Sequence, residues 1–232
     1  MIEEASAEVG PLAVRVWDLP VRLFHWSLVA LLGAAWWTAE EGMLDWHQLA
    51  GYAILVLLLF RIAWGISGSA TARFASFVRG PGAALAYARG DMLRRDAPPT
   101  AGHNPLGGWS VVLMLTLLVL QVALGMFAVD IDGMESGPFS YLVEFDTGRL
   151  AAEWHEINFT LLQVLVGLHV AAILFHRVFH RDALLGAMIS GRKRMAAAQG
   201  EALRFAPLSR AALILAMAAG AVWLLIWAWG RA

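Results

Sequence analysis

The amino-acid sequence predicts an all-α protein, a transmembrane helical bundle with a four-helix core and a fifth C-terminal transmembrane helix. Of its 232 residues, 59% are hydrophobic and only 15% are charged, whereas a soluble domain usually carries about 25% charged residues. Five apolar runs are long enough to cross about 30 Å of hydrocarbon. These runs are 22–39, 46–66, 108–129, 154–177 and 208–230.

The apolar runs divide the chain into four predicted parts. The N-terminal segment shows no cleavable signal peptide, because no basic stretch precedes a short apolar run with a small-residue cleavage site. The first helix is therefore expected to remain in the protein. The parts are an N-terminal segment (1–20), a four-helix core (21–190), a basic linker (191–207) and an additional transmembrane helix (208–230).

The charges of the connecting loops predict how the bundle is oriented. The 67–107 and 178–207 loops each carry five Lys or Arg residues against two acidic residues. The 40–45 loop carries three acidic residues and no base, and the 130–153 loop carries six acidic residues and Arg149. Because Lys and Arg accumulate in cytoplasmic loops, we expect a cytoplasmic N-terminus and, after five spans, an external C-terminus. The end with the acidic loops is called the outer end below, and the opposite end the inner end.

The absence of cysteine narrows the chemistry. The chain has no cysteine, which excludes disulfides, iron–sulfur clusters, thiolate metal sites and covalently attached c-type haem. Any bound metal must be held by His, Met, Tyr or carboxylate side chains. Nucleic acid is not an expected partner, because no basic face accompanies aromatic motifs. The protein is expected to be surrounded by membrane lipid.

Two histidines of the fourth span indicate two cofactors. His155 and His169 are 14 residues apart, which places them within about 40° on one helix face and about 21 Å apart along the axis. Ionisable residues inside a membrane are costly and tend to be functional. The alternative for any single histidine is a hydrogen bond to a carbonyl of a neighbouring helix. Two ligands at this spacing favour two stacked cofactors.

Each of these histidines has a predicted partner at equal depth. His47 opens the second span near the outer end, as His155 opens the fourth, and His25 lies about as deep as His169. The predicted pairs are His47 with His155 and His25 with His169. His176 is the alternative inner ligand, but it lies about 10 Å deeper than His169, so His169 is preferred. His176 and His180 are expected to meet headgroups, propionates or solvent, and His103 is expected to pack in a loop.

The separated pairs favour haem b over a bare metal ion. Zinc or copper requires its ligands clustered at one point, whereas two imidazoles on opposite faces of a porphyrin give a six-coordinate iron suited to electron transfer. Gly51, one turn after His47, would leave room for a flat macrocycle or for close helix packing. Arg61, 14 residues after His47 on the same face, would pair with a haem propionate or act as a positive-inside anchor.

Four stretches of the chain resemble the bacterial cytochrome b561 family, which includes the b-type cytochrome subunits of nickel–iron hydrogenases. The resemblance covers about residues 14–190, and the four-histidine arrangement combined with P-L-G-G is its most specific feature. The stretches are VRVWDLPVRLFHWSL, DWHQLAGYAILVLLLFRIAWG, GHNPLGGWSVVLML and EWHEINFTLLQVLVGLHVAAILFH.

The resemblance implies a four-helix diheme core in a bacterial inner membrane, where the external C-terminus predicted from the loop charges would lie in the periplasm. His25 and His169 would hold the inner haem b, and His47 and His155 the outer one. It also implies electron traffic between the quinone pool, ubiquinone or menaquinone, and a redox partner. The fifth span, 208–230, lies outside this four-helix pattern.

Three functions follow as hypotheses, and whether the chain is an enzyme in its own right stays open. The first is an electron-transfer subunit between quinone and a periplasmic c-type cytochrome or oxidoreductase subunit, whose basic surface would dock on the acidic 130–153 loop. The second is a free-standing superoxide:quinone oxidoreductase, which is disfavoured because Arg149 is the only base in the outer loops. The third is a non-redox multi-pass protein whose histidines bridge helices or relay protons.

Overall fold

Five long helices dominate the protein. A computed structural model describes residues 12–94, 100–131, 136–195 and 203–229. Residues 1–11 of the predicted N-terminal segment, 132–135 of the acidic outer loop and 196–202 of the predicted linker lie outside these described residues. The elements in chain order are β1 (Leu12–Arg15), α1 (Leu19–Glu40), α2 (Leu44–Ser67), α3 (Phe74–Phe77), α4 (Pro81–Arg89), α5 (Pro105–Phe127), α6 (Phe145–Phe179), α7 (Leu184–Ser190), β2 (Arg192–Met195) and α8 (Leu208–Trp229).

The predicted fold class is confirmed. Helices α1, α2, α5, α6 and α8 are each long and apolar enough to cross a membrane, and each overlaps one of the five predicted runs. The chain is therefore a multi-pass membrane protein. Helix α6 has 35 residues and a length of about 52 Å, so it begins nine residues before the predicted run and extends beyond about 30 Å of hydrocarbon.

Local capping explains where two of the spans begin. Asp18 precedes α1, and its Oδ1 accepts a hydrogen bond of 2.8 Å from the backbone N–H of Val21. Asn104 precedes α5, and its Oδ1 accepts one of 2.7 Å from the N–H of Gly107. A proline follows each cap within the first two helical positions, where its missing N–H costs nothing. The cap of α1 fixes the start of the helix that carries His25.

The helices form two hairpins and one added helix. Helices α1 and α2 pack closely as one hairpin, α5 and α6 as the other, and the hairpins meet mainly through α2 and α5. The α1–α2 turn requires Gly42, whose φ of +67° is accessible to glycine without strain. Helix α8 packs against α2, so it lies beside the four-helix core rather than within it.

A two-stranded sheet at the inner end was not predicted. Strand β1 pairs antiparallel with β2, from Leu12 opposite Met195 to Arg15 opposite Arg192. Their sequences, LAVR and RKRM, are short and lack the apolar–polar alternation by which strands are recognised. The sheet links the N-terminal segment to the chain that follows α7, which the sequence treats as separate parts.

The tightest packing lies at the inner end. Leu58 and Trp64 of α2 are fully buried, and Asp18 is 1% exposed. The indole N–H of Trp64 donates a hydrogen bond of 3.0 Å to Asp18 Oδ2, and the Thr71 hydroxyl donates one of 2.6 Å to the Val16 carbonyl. Because these buried polar groups are satisfied, the segment before α1 is fixed against the inner end of α2.

Candidate functional site

Two of the four predicted ligands face each other near the outer end. His47 on α2 and His155 on α6 have ring centroids 6.0 Å apart and ring planes at 76°. They come from different hairpins, so the space between the rings lies between the two halves of the core. The structure thus brings together the pair that the equal-depth argument predicted.

The backbone fixes the orientation of both rings. His47 Nδ1 lies 2.8 Å from the carbonyl oxygen of Ala35, and His155 Nδ1 lies 2.9 Å from that of Gln121. A carbonyl only accepts hydrogen bonds, so in each neutral imidazole the proton is on Nδ1 and Nε2 keeps its lone pair. This is the arrangement that metal-binding histidines usually show.

An apolar cavity surrounds this pair. It has a volume of about 270 Å³ and is lined by residues of α1, α2, α5 and α6, among them Trp36, Tyr52 and Phe159. A Cβ at Gly51 would meet no atom within 4 Å, and one at Gly125 would lie 2.9 Å from Cε1 of His155. The lack of a side chain at Gly125 therefore allows the His155 ring to lie close to α5. Gly51 borders open space.

These residues fit an iron porphyrin. A metal held by two imidazole nitrogens on opposite sides leaves the ring centroids about 6 Å apart, since each metal–nitrogen bond is about 2 Å long. The observed 6.0 Å agrees with that spacing. The apolar space beside the rings suits a macrocycle, and two imidazoles suit an iron that needs no further protein ligand.

The inner pair is arranged differently. His25 on α1 and His169 on α6 interact electrostatically, but no ring contact joins them among the described residues. His25 packs edge-to-face against Trp26 at 4.9 Å. Its Nδ1 is buried without a hydrogen-bond partner. Packing, and not a hydrogen bond to a backbone carbonyl, therefore positions the His25 ring.

Arg61 lies inside the protein and not at the lipid surface. It is 3% exposed, and its Nη1 donates a hydrogen bond of 3.1 Å to the carbonyl of Ala72. Its guanidinium lies 4.8 Å from the ring centre of Phe74 and interacts electrostatically with Asp18. The predicted cofactor-binding cation is thus a buried charge at the inner end of the core.

His176, the alternative inner ligand, has other contacts. Its ring stacks on that of His180 at 4.8 Å, and its Nε2 lies 3.4 Å from the side-chain nitrogen of Asn104. His180 Nε2 lies 3.0 Å from the carbonyl of Met92. Both rings therefore contact the segment between α4 and α5 at the inner surface.

Several features of the site were not predicted from the sequence. The carbonyls of Ala35 and Gln121 leave no sequence signal, because every residue carries a carbonyl. Gly125 is marked only as a glycine within an apolar helix, which also suits helix packing. Asn158 is 2% exposed and donates to Gln121 Oε1 at 2.6 Å. It ties α6 to α5 one turn below His155.

Comparisons with known proteins agree with this architecture. A sequence model of the prokaryotic cytochrome b561 family matches residues 16–191. A probable Ni/Fe-hydrogenase B-type cytochrome subunit of Bradyrhizobium diazoefficiens is 24% identical over 226 residues, covering 82% of this chain and 91% of the relative.

Similar proteins occur in other bacteria. Probable Ni/Fe-hydrogenase B-type cytochrome subunits of Rhizobium leguminosarum and Azotobacter chroococcum are 23% and 25% identical, covering 78% and 77% of this chain and 89% and 88% of theirs. No solved structure matches. The chain belongs to the prokaryotic cytochrome b561 family and is a membrane-spanning b-type cytochrome, which binds haem b and takes part in electron transfer.

Proposed function

We propose that this protein is a diheme cytochrome that transfers electrons between the membrane quinone pool and a periplasmic redox partner. One observation carries the proposal furthest: His47 and His155 face each other at 6.0 Å across an apolar cavity. Each ring has its Nδ1 against a backbone carbonyl, so each Nε2 is available as an axial ligand.

The outer haem is assigned to His47 and His155, and the inner haem to His25 and His169. Bound haem would supply an iron that can accept and release one electron, and the paired imidazoles would hold it without a further protein ligand. The protein holds the rings, keeps water from the apolar cavity and sets the distance between the two levels. Gly51 leaves space at the outer level, and Arg61 supplies a buried positive charge near the inner one.

The two levels give electrons a path along the bundle. His155 and His169 are about 21 Å apart along α6, so the outer site is near one surface and the inner site is deep in the other half. All four proposed ligands lie within residues 21–190, so this part of the chain forms the haem-binding domain, and 208–230 is an additional helix. We assign the protein to the inner membrane from its prokaryotic family, and its cytoplasmic N-terminus and periplasmic C-terminus from the loop charges.

The partner is proposed to be an oxidoreductase subunit or a c-type cytochrome with a basic docking surface. The relatives are named as cytochrome subunits of hydrogenases, which favours an enzyme subunit. The described outer end carries Asp146, Glu153 and Glu156 on α6, a charge pattern that would steer a basic partner. Arg149 donates a hydrogen bond to the carbonyl of Val129 at 3.1 Å among these carboxylates, so this face offers little attraction to superoxide. Ubiquinone or menaquinone is the proposed quinone.

Haem content and quinol-driven reduction test the proposal. We expect the purified protein to contain two haem b per chain by the pyridine haemochrome assay, and both haems to be reduced by a short-chain quinol. A His180→Ala variant is the matched control, because it removes an imidazole outside both pairs. One haem per chain, or haems that stay oxidised with excess quinol, would contradict the proposal.

A further inference from the structure

His103 has a partly buried imidazole whose function the four-ligand scheme leaves open. It precedes α5, and its ring lies between Trp17 at 4.9 Å and Phe77 at 4.7 Å. Its Nδ1 is buried without a hydrogen-bond partner. A partnerless buried polar atom is costly, and an aromatic ring at this position would pack without that cost. The structure therefore suggests that a group outside the described residues meets this imidazole.

The charges around His103 indicate what kind of group this is. It interacts electrostatically with Arg61 and with His169, the proposed inner haem ligand. Burial, followed by these two groups, lowers the pKa of His103 to about 3, so the ring is neutral and has one N–H to donate. Arg61 itself is 3% exposed and is bonded through Nη1 to the Ala72 carbonyl. Asp18 also interacts electrostatically with Arg61. A buried cation that interacts with a neutral donor can pair with a further anion that accepts from that donor.

A bare metal ion does not fit this place. Metal sites require several ligands at one point, and the described residues contain no group of three His, Asp or Glu side chains that would hold one. The rings of Trp17 and Phe77 pack against His103 instead of offering ligands. A carboxylate would accept the hydrogen bond of the imidazole and pair with the charge of Arg61.

We propose that His103 donates a hydrogen bond to a propionate carboxylate of the inner haem, with Arg61 as its counter-charge. The inference rests on the proposed function, because it needs a haem between His25 and His169. His103 is then a cofactor-binding residue that the four axial ligands do not include. The aromatic rings of Trp17 and Phe77 hold its plane, and the helix cap at Asn104 fixes the backbone next to it.

The test compares two porphyrins in a protein with a single haem site. The parent is the full chain with His155→Ala, which leaves only the inner site, produced without haem and titrated in detergent. The probes are haem b and haem b dimethyl ester, in which both propionates are methylated. His103→Phe keeps an aromatic ring and removes the N–H, and His103→Gln keeps a donor. His180→Phe is the matched control.

The expected result is a loss that depends on the free carboxylate. His103→Phe should weaken haem b binding about ten- to a hundredfold, as expected for a lost hydrogen bond to a charged group. His103→Gln should recover most of that loss, and His180→Phe should bind like the parent. With the dimethyl ester, the parent should bind more weakly and His103→Phe should add no further loss.

Three results would overturn the inference, and a fourth would also overturn the proposed inner haem site. Equal losses for haem b and its dimethyl ester in His103→Phe would show a packing role, and unchanged haem b binding would show no role. A diester that binds the parent as tightly as haem b would also refute it, even if His103→Phe failed to fold. If the parent bound neither porphyrin, the proposed inner haem site would fail, and this inference with it.

Discussion

The two histidine pairs of this bundle are built in different ways. In the outer pair, each Nδ1 contacts a backbone carbonyl and the rings lie 6.0 Å apart. In the inner pair, His25 Nδ1 has no partner, and buried charges gather nearby at Arg61 and Asp18. The outer site is therefore oriented by the protein alone, whereas near the inner site the partnerless Nδ1 of His103 is a polar atom that a haem propionate would satisfy.

This difference has an energetic meaning. A ligand that meets already oriented groups does not have to immobilise them, so less free energy is lost on binding. A ligand that satisfies buried, partnerless polar atoms removes a cost that the empty protein carries. The outer haem should thus depend on geometry, and the inner haem on charge and hydrogen bonding. The predictions below test that division.

The largest effect is expected from removing an outer ligand. His155→Ala should lose the outer haem completely and keep the inner one, because no other described imidazole lies next to His47. The measurement is the haem-to-protein ratio, which should fall from two to one, and His180→Ala should leave it at two. Loss of both haems from a folded protein would break the independence of the two sites.

Two variants distinguish His169 from His176 as the ligand of the inner haem. His169→Ala should lose the inner haem, whereas His176→Ala should keep both haems, because His176 stacks on His180 and contacts Asn104. Haem content and the reduced absorption spectrum of each variant distinguish the two. The opposite pattern would move the inner ligand to His176 and place that haem nearer the inner surface.

A smaller effect should follow from crowding the outer site. Gly125→Ala places a methyl group 2.9 Å from Cε1 of His155, so the ring must shift, at a cost of about 1–3 kcal/mol typical of overpacking. We expect weaker outer haem binding in a haem titration of the His169→Ala background. Gly220→Ala on α8, outside the four-helix core, is the matched control, because its Cβ meets no atom within 4 Å, and it should bind more tightly than Gly125→Ala.

The smallest effect concerns the intrinsic affinities of the two sites. The outer site should bind haem more tightly by about 0.5–1.5 kcal/mol, the cost of immobilising one side chain, since His25 lacks the carbonyl contact that orients His47. Titration of His169→Ala, which keeps the outer site, and His155→Ala, which keeps the inner site, measures the two affinities. A tighter inner site would mean that its buried charges outweigh the orientation of the outer rings.

Much of the bundle could be predicted because membranes constrain sequences strongly. Every spanning helix needs a long apolar run, and the five runs correspond to α1, α2, α5, α6 and α8. The pairing of His47 with His155 was predicted from their equal depth, because each opens a span near the outer end. In contrast, the β1–β2 pair depends on contact between two short charged segments far apart in the chain, for which no local pattern exists.

The finer structure of the sites was less accessible to sequence reasoning. The orientation of His47 and His155 depends on backbone carbonyls, which carry no side-chain signature. The prediction that His103 packs in a loop accounts for its contacts with Trp17 and Phe77 but not for its partnerless Nδ1. A buried atom that lacks a hydrogen-bond partner can be recognised only when the positions of the surrounding atoms are known.

An experimental structure of the haem-loaded protein tests the central claim most directly. The account predicts two irons, one about 2 Å from Nε2 of both His47 and His155 and the other at the same distance from Nε2 of His25 and His169, the usual length of a metal–imidazole bond. A single iron, or an inner iron bound by His176 in place of His169, would contradict it.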